Sequence, residues 1–416
     1  MTAGADSLLA LLKATFTPGP PKGLGVAVSG GGDSMALLHL LARWRVEGGP
    51  EIAAVTVDHR IRPEGAAEAA FVAGVCAALS VPHATLVWQG WDGKGNLPDQ
   101  ARRARYGLIA DWARQRGFAQ VALGHTMDDQ AENFVMRLAR GSGVDGLAAM
   151  AHRRKAHGIL FLRPLLWARR EELRTYLRAM TAAWVDDPTN EDTAYERVQA
   201  RQALAVLAPL GITAESLVAT AHRLDMARTA LNQAAHDLAR AAARVEAGDV
   251  IVRRDPFDAA PLETQARLMA HALCWIASAE YRPRFAALGE VMRQIAAGKR
   301  ATLHGCLIMP RRGGYHITRE AAATPGDGAP DRLWDGRWCV SGPLEPGISV
   351  RALGKTGLAQ MPVPPDRTRP QASFLAQPAI WRGEQLVAAP LAGWGNGWRA
   401  ELAQDEEDFF TSLILH

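Results

Sequence analysis

Short β-branched runs alternate with helical patterns between residues 23 and about 180, and this alternation constrains the fold more than any other feature of the sequence. It is the pattern of a parallel sheet flanked by helices. We therefore predict an α/β fold with a doubly wound parallel five-stranded sheet. The predicted strands are 23–29, 51–59, 83–89, 120–126 and 158–165.

A glycine-rich loop lies directly between the first predicted strand and the helix that follows it. The loop consists of Ser29, Gly30, Gly31, Gly32, Asp33 and Ser34. Consecutive glycines let the backbone turn tightly and point several N–H groups at one spot, with the positive end of a helix behind them. Ligands of a doubly wound sheet bind at such strand ends. The loop predicts a phosphate-binding site; the alternative is a helix start that Asp33 and Ser34 only cap.

The spacing of this loop excludes the two commonest nucleotide-binding motifs. No Gly-Lys-Ser/Thr follows it, so it is not a Walker A loop, and Asp33 and Ser34 stand where the dinucleotide fingerprint has its later glycine. The loop resembles instead the S-G-G-x-D-S loop of the PP-loop ATP pyrophosphatase superfamily. That resemblance implies an adenine nucleotide alpha hydrolase-like fold, cleavage of ATP between the α and β phosphates, and transfer of AMP to a substrate oxygen. The carboxylate of Asp33 would then hold Mg²⁺.

A second polar segment, 125–133, follows the fourth predicted strand and enters a helix. On that helix Asp128 and Glu132 share a face, while Asp129 lies about 100° round the axis. Acidic groups at a helix start complement the helix dipole, which is one interpretation. The other is that they bind a metal or a substrate amine.

This second segment resembles the H-x-x-D-D-Q-x-E-T motif of the tRNA(Ile)-lysidine synthase family. Asn133 stands where the family usually has threonine, and the run 197–201 departs from the usual R-N-x-I/L-R pattern while keeping both arginines. The resemblance covers about residues 20 to 205. Further matches are 58–60 with Arg62, 102–106, 140–143, 146–147, 163–166 and 187–190.

The resemblance implies a two-step reaction on the wobble cytidine of tRNA(Ile) with the anticodon CAU. The cytosine O2 first attacks the α-phosphate of ATP and releases pyrophosphate. The ε-amine of free L-lysine then attacks C2 and expels AMP, which leaves lysidine. The implied enzyme is an AMP-forming carbon–nitrogen ligase that uses ATP and Mg²⁺.

Site residues are carried over from the family motifs onto matching positions. We expect Asp128, Asp129 and Glu132 to bind lysine or Mg²⁺, with His125 near the phosphates. The predicted catalytic set is Asp33, His125, Asp128, Asp129 and Glu132. The predicted contacts to tRNA or nucleotide phosphates are Arg60, Arg62, Arg105, Arg163 and Arg201.

The rest of the chain predicts two smaller domains after a catalytic domain at 1–210. Residues 211–322 are predicted to form a helical tRNA-positioning domain, with a long helix at 216–247 and a hairpin at 302–318 that turns at 311–314. A linker at 321–330 precedes a small β-containing module at 331–416, predicted to bind the acceptor side of the tRNA. The tryptophans of that module are read as core.

Composition adds weaker constraints. The net charge of +4 and the pI near 9.0 suit a polyanionic partner only slightly, and short arginine clusters such as Arg169 with Arg170 are interpreted as solvated faces. Four widely spaced cysteines form no C-x-x-C pair, and no apolar run reaches the length of a membrane span. We expect a cytoplasmic protein without a membrane partner. The oligomeric state is left open, a homodimer included.

Three other functions remain to be distinguished. A tRNA thiolase of the same superfamily would need reactive or cluster-binding cysteines near the loop. A small-molecule ATP-dependent amide ligase would share the loop but would not bind tRNA in a salt-sensitive way. A non-enzymatic nucleotide sensor would never exchange pyrophosphate.

Overall fold

The computed structural model describes residues 3–16, 18–61, 63–91, 96–186, 196–343, 345–366 and 368–414. The chain divides into two compact units, Met1–Met226 and Ala227–His416. The boundaries of the three predicted domains stay a prediction. Among the described helices none is by itself long and apolar enough to cross a membrane, although Glu196–Leu210 and Ala214–Ala242, joined at a bend, pass on length and composition together.

The first unit is built on a six-stranded sheet in the order β3-β2-β1-β4-β6-β5. All neighbours run parallel except β5, which is antiparallel to β6. The strands are β1 Gly23–Ala27, β2 Glu51–Asp58, β3 His83–Val87, β4 Gln120–Leu123, β5 Arg153–Ala156 and β6 Ile159–Leu162. The helices are α1 Ala3–Ala14, α2 Gly32–Val46, α3 Gly65–Ala78, α4 Leu97–Gln115, α5 Met127–Ala139, α6 Val144–Leu147, α7 Arg170–Ala179, α8 Glu196–Leu207 and α9 Ala214–Ala242, the last of which runs past the boundary between the units.

Apolar cores lie on both faces of this sheet. Leu24 and Val26 of β1 are fully buried in one core, together with Leu38 of α2. Ala53 and Val55 of β2 lie in the other core, against α4. Strands that are buried on both faces have continuous apolar sequences, and these strands could therefore be predicted from the sequence. The doubly wound fold and all five predicted strands are confirmed.

The sheet has one strand more than predicted. Strand β5 has the sequence RRKA, which lacks the β-branched residues that identify strands. It pairs with β6 through a tight turn in which His157 and Gly158 have φ of 50° and 78°. Two consecutive residues with positive φ match the twist of a hairpin. As an edge strand β5 tolerates its charges.

The second unit combines helices with small antiparallel sheets. Its sheets have the orders β7-β8-β11-β10-β9, β12-β16 and β13-β14-β15. The strands are β7 Ala243–Glu246, β8 Asp249–Arg253, β9 Ala301–Leu303, β10 Cys306–Arg311, β11 Gly314–Arg319, β12 Trp338–Ser341, β13 Ile348–Ala352, β14 Pro378–Arg382, β15 Gln385–Ala388 and β16 Arg399–Leu402. The helices are α10 Arg254–Asp258, α11 Leu262–Ala277, α12 Phe285–Ala296, α13 Gly354–Gln360, α14 Gln371–Leu375 and α15 Glu406–Thr411.

Three sequence predictions are settled in this unit. The hairpin is confirmed, because β10 and β11 pair up to Arg311 and Gly314. The long helix ends at Ala242, five residues earlier than predicted, because the chain turns at Ala247 and Gly248 to pair β7 with β8. Of the five tryptophans of the small module, Trp334, Trp338, Trp381 and Trp398 are buried in its core, as predicted, while Trp394 is half-buried against that core.

Candidate active site

The carboxyl ends of β1, β2 and β4 border a cleft of about 1100 Å³ in the first unit. Residues of the glycine loop and of the segment 125–133 both line this cleft, as expected because ligands of a doubly wound sheet bind at the carboxyl ends of its strands. Lining residues that the sequence had singled out are Ser29, Gly31, Gly32, Asp33, Ser34, Arg60, Arg105, His125, Asp129 and Arg201. The structure also describes Gly30, Asp128, Glu132 and Arg163, but these do not line the cleft.

The glycine loop is held by its two serines. The Ser34 hydroxyl accepts a hydrogen bond from the Ser29 N–H at 3.1 Å and donates to the Gly31 carbonyl at 2.9 Å. Gly30 has φ of 91°, a conformation that side chains disfavour, and so the turn requires glycine there. Helix α2 begins at Gly32 and glycine supplies no side-chain cap at position 31. The first N–H groups of α2 are thus offered to an anion.

The end of β4 packs directly on this loop. A Cβ atom at Gly124 would lie 2.9 Å from Ser34 Cα and 3.0 Å from Ser34 N. Only glycine allows two backbones to approach this closely without displacement. The contact fixes His125, the next residue, beside the glycine loop.

Asp33 is the acidic group of the loop. Its Oδ2 accepts from Arg170 Nε at 3.1 Å, whereas its buried Oδ1 has no hydrogen-bond partner among the described residues. Burial raises the pKa of Asp33 to about 6, the nearby Arg170 lowers it and Asp129 raises it. A buried carboxylate oxygen with an open coordination position fits Mg²⁺, which takes one or two carboxylates together with phosphate oxygens. The donor set is therefore compatible with the predicted metal.

Asp129 both caps α5 and faces the cleft. Its Oδ2 accepts from the Thr126 N–H at 2.8 Å, and its own N–H donates to the Thr126 hydroxyl, which forms a capping box. Its Oδ1 accepts from Arg170 Nη2 at 3.2 Å. The capping interpretation and a functional role are therefore compatible for this residue.

Glu132 is buried, with only 1% of its side chain exposed, and does not line the cleft. Its Oε1 accepts from Arg170 Nη1 at 2.9 Å and from Arg201 Nε at 2.6 Å. Its Oε2 is buried and has no partner in the described part of the chain. Two guanidinium groups compensate the charge of this carboxylate, as a buried charge requires.

Asp128 binds the start of α7 rather than the cleft. Its Oδ2 accepts from the main-chain N–H of Arg170 at 2.7 Å, and its Oδ1 accepts from Arg169 Nη2 at 3.1 Å. A carboxylate at a helix N-terminus is favoured by the helix dipole. Asp128 therefore positions the helix that carries Arg170.

His125 lines the cleft as a neutral imidazole. Burial lowers its pKa to about 3, the Asp129 carboxylate raises it, and the nearby cations, among them Arg105, lower it further. Its Nδ1 is buried without a hydrogen-bond partner within the described residues. A neutral ring of this kind can donate one hydrogen bond and accept another but carries no charge.

The predicted arginines are distributed unequally. Arg60 lines the cleft next to Asp58, whose Oδ1 accepts its main-chain N–H at 2.8 Å. Arg163 is 3% exposed and donates from Nη1 to the Ala151 carbonyl at 2.6 Å, so it fixes the segment before β5. Arg62 and the run 187–190 lie outside the described residues. The roles assigned to all these residues stay predictions.

Three further arginines line the cleft, namely Arg170, Arg174 and Arg197. The sequence predicted none of them as a site residue, although Arg197 belongs to the run 197–201 that resembles a family motif. Arg170 had been interpreted as part of a solvated face, and this was wrong, because it donates to three carboxylates of the site. The signal that could have found it is charge balance. An acidic helix start next to an acidic loop needs a cation, and the helix that follows the last parallel strand begins with two arginines.

Comparison with known proteins identifies the family. The PP-loop domain family matches residues 6–207. The tRNA(Ile)-lysidine synthase of Ruegeria pomeroyi is 48% identical over 417 residues and covers 100% of both chains, and that of Bradyrhizobium sp. is 43% identical over 270 residues, 62% of this chain and 75% of its own. A solved U34-tRNA thiolase, NcsA from Methanococcus maripaludis, is 15% identical with a TM-score of 0.47, over 54% of this chain and 80% of its own.

The full-length identity agrees with a glycine loop and an acidic helix that meet at one cleft of a doubly wound sheet. Both kinds of observation lead to one conclusion: the chain belongs to the tRNA(Ile)-lysidine synthase family, with a PP-loop domain as its first half.

Proposed function

We propose that this chain ligates free L-lysine to C2 of the wobble cytidine of tRNA(Ile) with the anticodon CAU, consuming ATP and releasing AMP and pyrophosphate. One observation carries the proposal: the guanidinium of Arg170 bonds both Asp33 of the glycine loop and Asp129 of α5. The proposed triphosphate site and the proposed acidic site for an amine therefore lie next to each other in the same cleft. This is the arrangement that a reaction between ATP, a nucleobase and lysine requires.

In the first step the cytosine O2 attacks the α-phosphorus of ATP. The bond from that phosphorus to the α,β-bridging oxygen breaks, and pyrophosphate leaves with the electron pair. The N–H groups of the glycine loop and the Ser29 hydroxyl hold the negative leaving group, while the Ser34 hydroxyl, 3.2 Å from that of Ser29, holds the loop through its bond to the Gly31 carbonyl. Mg²⁺, when bound, neutralises phosphate charge, and Asp33 is the residue whose open oxygen would hold it.

In the second step the ε-amine of lysine attacks C2 of the adenylated base. A C–N bond forms, the C2–O bond breaks, AMP leaves and the amine gives up a proton. We assign the amine to Asp129, which lines the cleft. Glu132 is buried and bonds Arg170, and Asp128 bonds the start of α7. A carboxylate attracts the ammonium and can accept its proton. Neutral His125 lies beside the phosphates as a hydrogen-bonding group.

The remaining predicted residues are proposed to bind the tRNA. Arg60, Arg105 and Arg201 line the cleft and match the geometry of phosphate groups. Residues 211–322 would position the tRNA body, and residues 331–416 would contact its acceptor side. We place the reaction in the cytoplasm, and a homodimer stays a prediction.

The rival functions have less support. A thiolase needs a thiolate near the glycine loop, but burial raises the pKa of Cys76 to about 11, and the other three cysteines belong to the second unit. A small-molecule amide ligase or a nucleotide sensor would not explain full-length similarity to tRNA(Ile)-lysidine synthases.

The decisive experiment supplies the protein with ATP, labelled lysine and a tRNA(Ile) transcript carrying the anticodon CAU. We expect label in the RNA together with one AMP and one pyrophosphate per lysine. A transcript with uridine at the wobble position is the matched control and should remain unlabelled. Asp33→Ala should abolish incorporation while leaving tRNA binding nearly intact. Pyrophosphate release without incorporation, or incorporation into the control transcript, would refute the proposed reaction.

A further inference from the structure

Arg170 uses all three nitrogens of its guanidinium on three carboxylates. Nε donates to Asp33 at 3.1 Å, Nη2 to Asp129 at 3.2 Å, and Nη1 to Glu132 at 2.9 Å. Asp33 belongs to α2, whereas the other two belong to α5. One rigid, planar guanidinium group therefore ties the glycine loop to the acidic helix.

The charge of this cluster is nearly balanced without any ligand. Asp33, Asp129 and Glu132 contribute three negative charges when ionised, and Arg170 and Arg201 contribute two positive charges, which leaves one negative charge. The ammonium of lysine would therefore meet carboxylates that already have a cationic partner. Displacing that partner costs free energy unless it finds another anion.

The position of Arg170 suggests what that other anion is. Arg170 and the residues of the glycine loop line the same cleft, and its Nε already bonds the loop residue Asp33. A triphosphate bound by the loop would bring several phosphate oxygens to this wall. A guanidinium matches phosphate geometry as well as it matches a carboxylate. Nucleotide would therefore compete for Arg170.

We propose that Arg170 is a positioning residue that makes lysine binding conditional on nucleotide. In the nucleotide-free protein its guanidinium bonds Asp129, the carboxylate that we assign to the amine, and bound triphosphate draws the guanidinium away and frees that carboxylate. The inference rests on the proposed function, because it takes lysine as the ligand of the acidic helix. By linkage, lysine must then strengthen nucleotide binding by the same factor.

The test is calorimetric titration of lysine into the full-length protein, with and without a non-hydrolysable α,β-methylene analogue of ATP and Mg²⁺. For the wild type we expect lysine to bind about tenfold tighter, or more, with the analogue present. Arg170→Met should bind lysine equally under both conditions. Arg170→Lys keeps the charge but cannot bond three carboxylates through a planar guanidinium. The ratio of its lysine affinities with and without the analogue should be intermediate.

Arg178→Met is the matched control, since Arg178 lies on the same helix and forms an exposed ion pair with Glu171, at 2.7 Å. It should retain the wild-type ratio. A purely structural role for Arg170 would weaken lysine binding under both conditions without changing their ratio. Should Arg170→Met fail to fold, the ratios of the wild type and of Arg170→Lys decide.

The outcomes separate this inference from the proposed function. Equal lysine affinity with and without the analogue in the wild type overturns the role of Arg170, while incorporation of lysine into tRNA would still stand. Absence of lysine binding under both conditions also overturns it. Absence of incorporation in the tRNA assay, or incorporation into the control transcript, removes the proposed function as well.

Discussion

Arg170 and Glu132 form a 2.9 Å ion pair that joins α7 to α5, with only 1% of the Glu132 side chain exposed. Arg201 of α8 reaches the same carboxylate oxygen at 2.6 Å. Three helices of the first unit thus converge on one buried charge. Removing that charge would leave two guanidinium groups without their shared partner, and this determines how the site responds to substitution.

Glu132→Gln should destabilise the first unit. The amide keeps the shape of the side chain but loses the charge that compensates Arg170 and Arg201, and breaking a buried pair costs about 3 kcal/mol. Denaturant unfolding of the full-length protein would measure the loss. Glu171→Gln, which removes a surface pair with Arg178, should change stability by less than about 1 kcal/mol. Equal effects of the two substitutions would contradict a stabilising role for the buried cluster.

The stability of the nucleotide-free protein should depend on pH through Asp33. Burial raises its pKa from 3.8 to about 6, opposed by Arg170 and supported by Asp129 and Asp128. The pKa of Asp33 is higher in the folded than in the unfolded protein, so protonation of this carboxyl stabilises the fold. This stabilisation is fully present below pH 4 and is lost as the pH rises through 6, which lowers the free energy of unfolding by up to about 3 kcal/mol. Asp33→Asn removes this cost. The variant should gain on the wild type between pH 4 and pH 7 in denaturant titrations, and a constant difference across that range would disprove the assignment.

Gly124→Ala should displace the glycine loop. The new methyl group would lie 2.9 Å from Ser34 Cα, a backbone atom that cannot rotate away, and such overpacking costs about 1 to 3 kcal/mol. We expect ATP affinity, measured by calorimetry, to fall together with stability. Gly107→Ala is the control, because a Cβ there meets nothing within 4 Å in the interior of α4 and should stabilise the protein by up to about 1 kcal/mol. Unchanged ATP affinity in Gly124→Ala would argue against the loop as the nucleotide site.

The sequence predicted those parts of the fold that are repetitive and buried. Strands β1, β2 and β4 are continuous apolar runs, and the glycine loop follows the first of them. The sequence alone therefore indicates that the cleft lies at the carboxyl ends of these strands. Strand β5 escaped because RRKA pairs only as an edge and carries no apolar pattern. The end of α9 escaped because β7, with the sequence ARVE, follows the helix directly, and no glycine or proline separates the two; the turn residue Gly248 comes only after β7.

The sequence predicted which residues belong to the candidate site, but not which of them contact one another. The motifs brought Asp33, His125 and Asp129 to one cleft. They could not show that Glu132 is buried or that Arg170 bonds it, because these contacts join residues 38 positions apart on different helices. Long-range ion pairs depend on the packing angle of helices, which local sequence patterns do not encode.

Arg197→Ala should weaken tRNA binding by removing one phosphate contact. Arg197 is exposed and lines the cleft. Burial lowers the pKa of Arg105, and so do the neighbouring cations Arg102, Arg197 and Arg163, which indicates positive charges gathered at one wall. Such a wall attracts a polyanion.

The measurement is the salt dependence of tRNA affinity. Each phosphate contact adds about 0.7 to 0.9 to the slope of log K against log salt concentration. Arg197→Ala should therefore reduce the slope by about 1. Arg178→Ala removes an equal charge from the solvent face of α7, where Arg178 pairs with Glu171, and should leave the slope unchanged. An equal reduction in both variants would mean that the protein responds only to net charge, and that the arginine wall of the cleft is not where the tRNA backbone binds.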